Sequence, residues 1–124
     1  MATYLAFFDG STTPWRLDAA EVTTALAGSW GAVDAAPIRF AERPAVRWVV
    51  PTDDGPGEVV LPENGTGLYF DASLPDSARL AALLRRLVPD AVELVFCDQG
   101  YYFDVRVQPG TTAAELLAEV DAQP

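Results

Sequence analysis

The alternation of apolar and polar positions predicts a first strand followed by a capped helix. An apolar run over Thr3–Phe8 is typical of a short strand. Asp18 and Glu21 then have the spacing of a capping box, in which each side chain bonds the backbone N–H of the other residue. We expect the helix to end at Gly28 or Gly31, because glycine adopts the positive φ of a helix C-terminus without strain.

The middle of the chain predicts a four-stranded antiparallel meander. Asn64-Gly65 favours a two-residue hairpin loop, since both residues tolerate positive φ. This loop pairs Leu61 with Leu68, Val60 with Tyr69, and Val59 with Phe70. Turns around Thr52–Gly57 and Glu42–Pro44 add the pairs Val50 with Val59, Trp48 with Leu61, Ile38 with Trp48, and Phe40 with Val46. The inner face then carries two apolar rows, and a slip by one residue would scatter them, so the pattern itself favours this register.

A second helix follows the meander. Ser73 and Asp76 have the spacing of an N-cap pair, and Pro89 ends the helix. Its apolar stripe consists of Leu80, Leu83, Leu84 and Leu87. Arg85 lies off this stripe, so we expect Arg85→Ala to change the free energy of unfolding little.

The last third of the chain predicts a hairpin and a third helix. With Gln99-Gly100 as the loop, the cross-strand pairs are Phe96 with Phe103, Leu94 with Val105, Val92 with Val107, Cys97 with Tyr102, and Glu93 with Arg106. Thr112 and Glu115 form a further capping box. The element order is β-α-β-β-β-β-α-β-β-α, which indicates an α+β fold: an antiparallel-rich (mixed) sheet of about seven strands with three helices.

Composition predicts one globular domain over residues 1–124, because half of the residues are apolar. The one cysteine forms no internal disulfide, and no apolar run is long enough for a signal peptide or a bilayer span, so we expect a cytoplasmic protein. A net charge of −10 disfavours nucleic acid and anionic membranes as partners. A charged partner of this protein should therefore be basic, and association with it should be faster at low salt.

The residues that most enzymes use for catalysis are largely missing. Without histidine or lysine there is no Ser-His-Asp triad, HExxH zinc site, Schiff base or P-loop, so we favour a non-enzymatic protein and expect no cofactor. Asp9, Asp71 and Asp98 each follow an apolar strand. If those strand ends met, the three carboxylates could hold Mg²⁺ or Ca²⁺, the basis of an alternative ligand-binding or enzymatic function. The simpler interpretation is that aspartate satisfies turn backbone at strand ends.

The face opposite the two apolar rows is the candidate interaction surface. Strand alternation places there Val49, Val60, Tyr69, Val95, Cys97 and Tyr102. We interpret Cys97 as a half-buried small hydrophobe, because nothing nearby would stabilise a thiolate. An apolar face rimmed by charge is typical of a protein-binding module, either a homodimer or an inhibitor or immunity-type partner of a basic protein. Alternatively, the first strand, the segment around Trp15 or the first helix covers this face.

Overall fold

Across residues 3–31 and 33–123, which the computed structural model describes, the chain forms three helices and one seven-stranded sheet. The strands are β1 (Thr3–Phe7), β2 (Ala36–Phe40), β3 (Arg43–Thr52), β4 (Gly55–Pro62), β5 (Gly67–Asp71), β6 (Leu94–Asp98) and β7 (Asp104–Val107). The helices are α1 (Ala19–Trp30), α2 (Leu74–Leu87) and α3 (Ala113–Ala122). The predicted element order and the α+β class are confirmed.

The strand order in the sheet is β2-β3-β4-β5-β1-β6-β7, and every strand pair described is antiparallel. The meander β2–β5 and the hairpin β6–β7 therefore do not touch along their edges. Strand β1 lies between them and pairs with both β5 and β6. The sheet is continuous only because the first strand of the chain joins these two units.

The hydrophobic core fills the space between the sheet and the helices, on what we call the inner face. The strands supply alternate residues to it, as a half-buried sheet requires. These buried residues include Ala6, Trp48, Val50, Val59, Phe70, Phe96, Val105 and Val107. Each helix adds apolar side chains, among them Leu26 from α1, Leu84 from α2 and Leu116 from α3. Burial of one such leucine stabilises the fold by about 1.5–3 kcal/mol.

The predicted starts of the three helices are confirmed. They could be predicted because each depends on hydrogen bonds between residues close in the sequence. Asp18 and Ser73 each accept the backbone N–H three residues further on, at 3.3 Å. Thr112 and Glu115 form the full reciprocal capping box, with both bonds at 3.2 Å. Helix α1 ends at Gly31, whose φ of 88° is the conformation that favours glycine.

The meander register is confirmed in one hairpin and shifted by two residues in the next. Val59 lies opposite Phe70, as predicted. Trp48, however, lies opposite Val59 instead of Leu61, because the β3–β4 turn contains only Asp53-Asp54. An even shift keeps every side chain on its predicted face.

The predicted register of β2 on β3 is wrong by an odd number of residues. Ile38 pairs with Ala45, and Phe40 pairs with Arg43. The turn consists of Ala41 and Glu42, which adopt positive φ values of 52° and 63°. The odd shift moves Ile38 and Phe40 from the inner face to the opposite face of the sheet, which we call the outer face.

The predicted two-residue loop between β6 and β7 is also wrong. Phe96 lies opposite Val105, and Cys97 lies opposite Asp104 instead of Tyr102. Asp98 closes a longer loop, because its carboxylate accepts the Tyr102 backbone N–H at 2.7 Å. The predicted pair Glu93 and Arg106 still forms an ion pair at 3.0 Å, although the two residues are not directly opposite.

Arg85 contradicts the expectation that it is a dispensable surface residue, since only 3% of it is exposed. Its Nη1 donates to the carbonyls of Val92 at 2.8 Å and Val107 at 3.2 Å. Its Nη2 donates to the carbonyls of Val88 and Pro89, just after α2. Arg85 thus joins the end of α2 to the segment before β6 and to β7.

Candidate interaction face

The strand registers define which side chains occupy the outer face. Alternate residues of each strand lie there, away from the helices. Its members on the meander are Ile38, Phe40, Ala45, Arg47, Val49, Glu58, Val60, Tyr69 and Asp71. Its members on β1 and β6 are Leu5, Phe7, Val95 and Cys97. Val49, Val60, Tyr69, Val95 and Cys97 are therefore on the face to which the sequence analysis assigned them.

The first strand, the segment around Trp15 and the first helix were the segments that could have covered the outer face, and none of them lies over it. In the described ranges, α1 packs against the inner face, where Trp48 Nε1 donates to Thr23 Oγ1 at 2.8 Å. The Trp15 ring lies 5.7 Å from the ring of Phe8, which belongs to the core. Strand β1 lies within the sheet itself. These segments therefore leave the outer face uncovered, but exposure along it is uneven: Val49 is 46% exposed, whereas Val60 is 9% exposed and Cys97 is fully buried.

Tyr69 occupies the middle of the outer face. Its ring centroid lies 4.8 Å from that of Phe40, in a tilted aromatic pair. Three open cavities, of about 220, 280 and 350 Å³, all include Tyr69 in their walls. Phe7 and Tyr101 border the first, whereas Phe40 borders the other two. The face is therefore grooved on both sides of one central aromatic side chain.

Charged groups edge these grooves, and most of them are paired. Arg47 contacts Glu58 at 2.9 Å, and Arg43 contacts Glu63 at 3.5 Å. Asp71 lies directly opposite Glu58 on the neighbouring strand, and its buried Oδ1 has no hydrogen-bond partner among the described residues. Exposed pairs of this kind stabilise a protein by only about 0–1 kcal/mol.

Tyr102 is the predicted face residue that the structure places elsewhere. It lies in the loop between β6 and β7, and 85% of it is exposed. The reason is the shifted hairpin register, which sets Asp104 opposite Cys97. Its neighbour Tyr101 instead borders an outer-face cavity, together with Leu5.

The structure does not bring Asp9, Asp71 and Asp98 together. Neighbouring strands run in opposite directions, so Asp9 lies at the far end of β1 from the other two. Asp71 and Asp98 flank the start of β1, but on opposite faces of the sheet. Among the described residues, no group of three metal-ligating side chains is close enough to hold a cation. The geometry required for a three-carboxylate site is therefore not formed.

Cys97 is expected to be unreactive in the folded protein. Its side chain is fully buried, and burial, with smaller contributions from Asp98 and Asp104, raises the pKa of its thiol to about 11. Native protein at pH 8 should therefore react with a thiol-specific disulfide reagent far more slowly than protein unfolded in guanidinium chloride. Equal rates in the two states would contradict this placement. The folded state holds the proton more tightly, so ionisation of Cys97 should also lower stability as pH rises from about 9 towards 11.

Four large apolar side chains of the outer face were not assigned to it from the sequence: Leu5, Phe7, Ile38 and Phe40. Leu5 and Phe7 belong to an uninterrupted apolar run, which is typical of a central strand with side chains on both faces. Their place could have been inferred from that run. Ile38 and Phe40 were assigned to the inner face, and only the unusual turn at Ala41-Glu42 reverses them.

Comparison with protein-family models, with curated proteins and with solved structures found no match for this chain. Among the helices of the described residues, none combines the length and the apolar character needed to cross a bilayer.

Proposed function

We propose that the protein is a non-enzymatic binding module that recognises another protein through its outer sheet face. The observation that carries the proposal is the set of apolar and partly exposed aromatic side chains that crosses β2, β3, β4, β5, β1 and β6 on the face away from the core, with Val49 as its most exposed large apolar member. A solvent-facing sheet surface is ordinarily polar. Contiguous apolar surface with a polar rim is the usual composition of an interaction site.

Two partners fit this surface. A second copy of the chain would bury the face symmetrically, with Tyr69 of each protomer near the shared axis. A basic protein would instead use the charge of −10, as an inhibitor or immunity-type protein does with its target. The two differ in salt dependence: screening of like charges strengthens self-association, whereas screening of opposite charges weakens binding to a basic partner.

Sedimentation equilibrium at low and high salt tests the proposal. For a homodimer, the wild type should associate and Tyr69→Asp should be monomeric, because a carboxylate would be desolvated at the centre of the interface. Val49→Asp, at a more exposed position of the same face, should act in the same direction. Ala118→Asp on the exposed surface of α3 is the matched control, since it adds the same charge away from the face.

If the wild type is monomeric, cross-linked capture from lysate with the same variants tests the heterologous version. A partner should be retained by Ala118→Asp and lost with Tyr69→Asp and Val49→Asp, each checked for folding by thermal denaturation. A protein that stays monomeric at every salt concentration, and whose captured proteins do not depend on the face variants, would contradict the proposed function.

A further inference from the structure

A second surface feature lies on the helical side, away from the outer face. The C-terminal end of α1, the middle of α2 and the start of α3 enclose a cavity of about 400 Å³. Three of the chain's eight basic residues, Arg79, Arg85 and Arg86, line it, whereas none of its described lining residues is acidic. In a protein with 18 acidic residues, this is a local reversal of the overall charge.

The unsatisfied polar atoms in the cavity walls are all hydrogen-bond donors. Trp30 Nε1 and Arg85 Nε are buried and have no partner among the described residues. Both groups can only donate. At the start of α3, Thr112 and Glu115 satisfy two backbone N–H groups, but the Ala113 N–H has no acceptor within the helix. Two side-chain donors, from α1 and α2, therefore border the cavity without an acceptor among the described residues.

Acidic groups near the cavity offset much of its positive charge, but Arg86 is not paired with any of them among the described residues. Asp76 contacts Arg79 at 3.5 Å and offsets part of its charge. The C-terminal end of α1 contributes about half a negative charge, and the N-terminal end of α3 contributes about half a positive charge, so the helix ends offset each other. Arg86 forms no ion pair with any described residue, and Arg85 contacts only carbonyl oxygens. Glu115 adds a negative charge at the start of α3, where its carboxylate accepts from Thr112 at 3.0 and 3.2 Å, and Asp90 interacts with Arg85. Arg86 is therefore the lining arginine for which no acidic contact is found among the described residues.

We propose that this cavity binds the phosphate group of a small molecule. A phosphate offers at least three acceptor oxygens to donors that converge from different directions, whereas a carboxylate offers two. The cavity is large enough for a phosphate ester, and Leu83 and the Trp30 ring supply an apolar wall for the esterified group. Entry requires a shift of a covering side chain. The Arg79 side chain can move, because it is 42% exposed. Its guanidinium carbon lies 4.6 Å above the Trp30 ring.

The indole N–H resonance of Trp30 is the direct reporter of this site. The chain has three tryptophans, and Trp30→Phe identifies the correct cross-peak in a ¹H–¹⁵N spectrum. Inorganic phosphate and phenyl phosphate are titrated to about 20 mM at constant ionic strength, well above a millimolar Kd. We expect a saturable downfield shift of Trp30, while Trp48, already bonded to Thr23, does not move. Tighter binding of phenyl phosphate would identify an ester as the ligand, and equal binding would identify inorganic phosphate.

Charge-neutral variants decide whether the site is specific. Arg86→Gln and Arg79→Gln should each weaken binding about tenfold, the usual effect of losing one charge-assisted bond. Arg106→Gln removes the same charge from β7 and should change the Kd by less than about twofold. The absence of a saturable Trp30 shift, an equal shift with benzyl alcohol, or equal weakening by Arg106→Gln would each overturn the proposal. None of these results depends on the outer face, so the proposed protein-binding function is tested separately.

Discussion

Replacement of Arg85 by alanine is expected to lower the free energy of unfolding by about 2–3 kcal/mol, because hydrogen bonds from a charged group contribute about 1.5–3 kcal/mol and its carbonyl partners lose a donor. The guanidinium donates to four backbone carbonyls, and two of them belong to Val88 and Pro89, directly after α2. Both carbonyls lie just past the last residue of α2, and that of Pro89 also accepts the Val92 N–H at 2.9 Å, so Val88 depends on Arg85 more than Pro89 does. The positive charge also stabilises the negative end of the helix dipole. Urea denaturation followed by circular dichroism measures the change.

Arg86→Ala is the matched control, because Arg86 is the next residue of α2 and its side chain is exposed. It should change stability by no more than about 0.5 kcal/mol. Arg85→Lys should fall in between, since one ammonium cannot reproduce the bonds of a planar guanidinium to four carbonyls. Equal and small effects of Arg85→Ala and Arg86→Ala would show that the carbonyls find water when Arg85 is removed.

Replacement of Trp48 by alanine should cost about 3–5 kcal/mol. Trp48 is fully buried on the inner face, and its indole N–H donates to Thr23 of α1 at 2.8 Å. The substitution would remove a large apolar side chain and the bond that connects β3 to α1. Chemical denaturation monitored by far-ultraviolet circular dichroism reports the loss without relying on the tryptophan itself.

Two variants separate the contributions at this position. Trp48→Phe keeps most of the packing and should cost about 1–2 kcal/mol, because it loses the hydrogen bond and part of the volume. Val49→Ala changes the next residue of β3, which lies on the outer face, and should cost about 0.5 kcal/mol or less. If Val49→Ala proves more costly than Trp48→Phe, the assignment of the two faces is reversed.

The elements were predictable because their signals are local. Asp18, Ser73 and Thr112 cap helices with residues three positions away. The pairing of Val59 with Phe70 was predicted correctly, although the loop between β4 and β5 has four residues and only Gly65 of the Asn64-Gly65 pair adopts positive φ. Hairpins without a strong loop signal were predicted less accurately. In the β3–β4 hairpin the register shifted by two residues, so every side chain stayed on its predicted face. In the β2–β3 hairpin the turn at Ala41-Glu42 shifted the register by an odd number of residues and moved Ile38 and Phe40 to the other face. Alanine and glutamate rarely adopt positive φ, so nothing in their chemistry announces that turn.

Arg85 and the outer face show a different limit of sequence analysis. Helical periodicity correctly separates Arg85 from the leucine stripe, but the chain after Pro89 and strand β7 return to enclose it. Such enclosure depends on contacts between distant parts of the chain, which periodicity does not encode. In the same way, alternation placed Val49 and Tyr69 on one face, while only the packing of α1 shows that no helix covers them.

The central position of β1 has a consequence for synthesis on the ribosome. Leu5 is made long before Cys97, one of its two strand partners. The meander can pair with β1 while translation continues, but the other edge of β1 then stays open until β6 emerges. An open apolar edge strand is a site for pairing between nascent chains. Folding of this protein should therefore slow at its final step, when contacts of long sequence separation close the sheet.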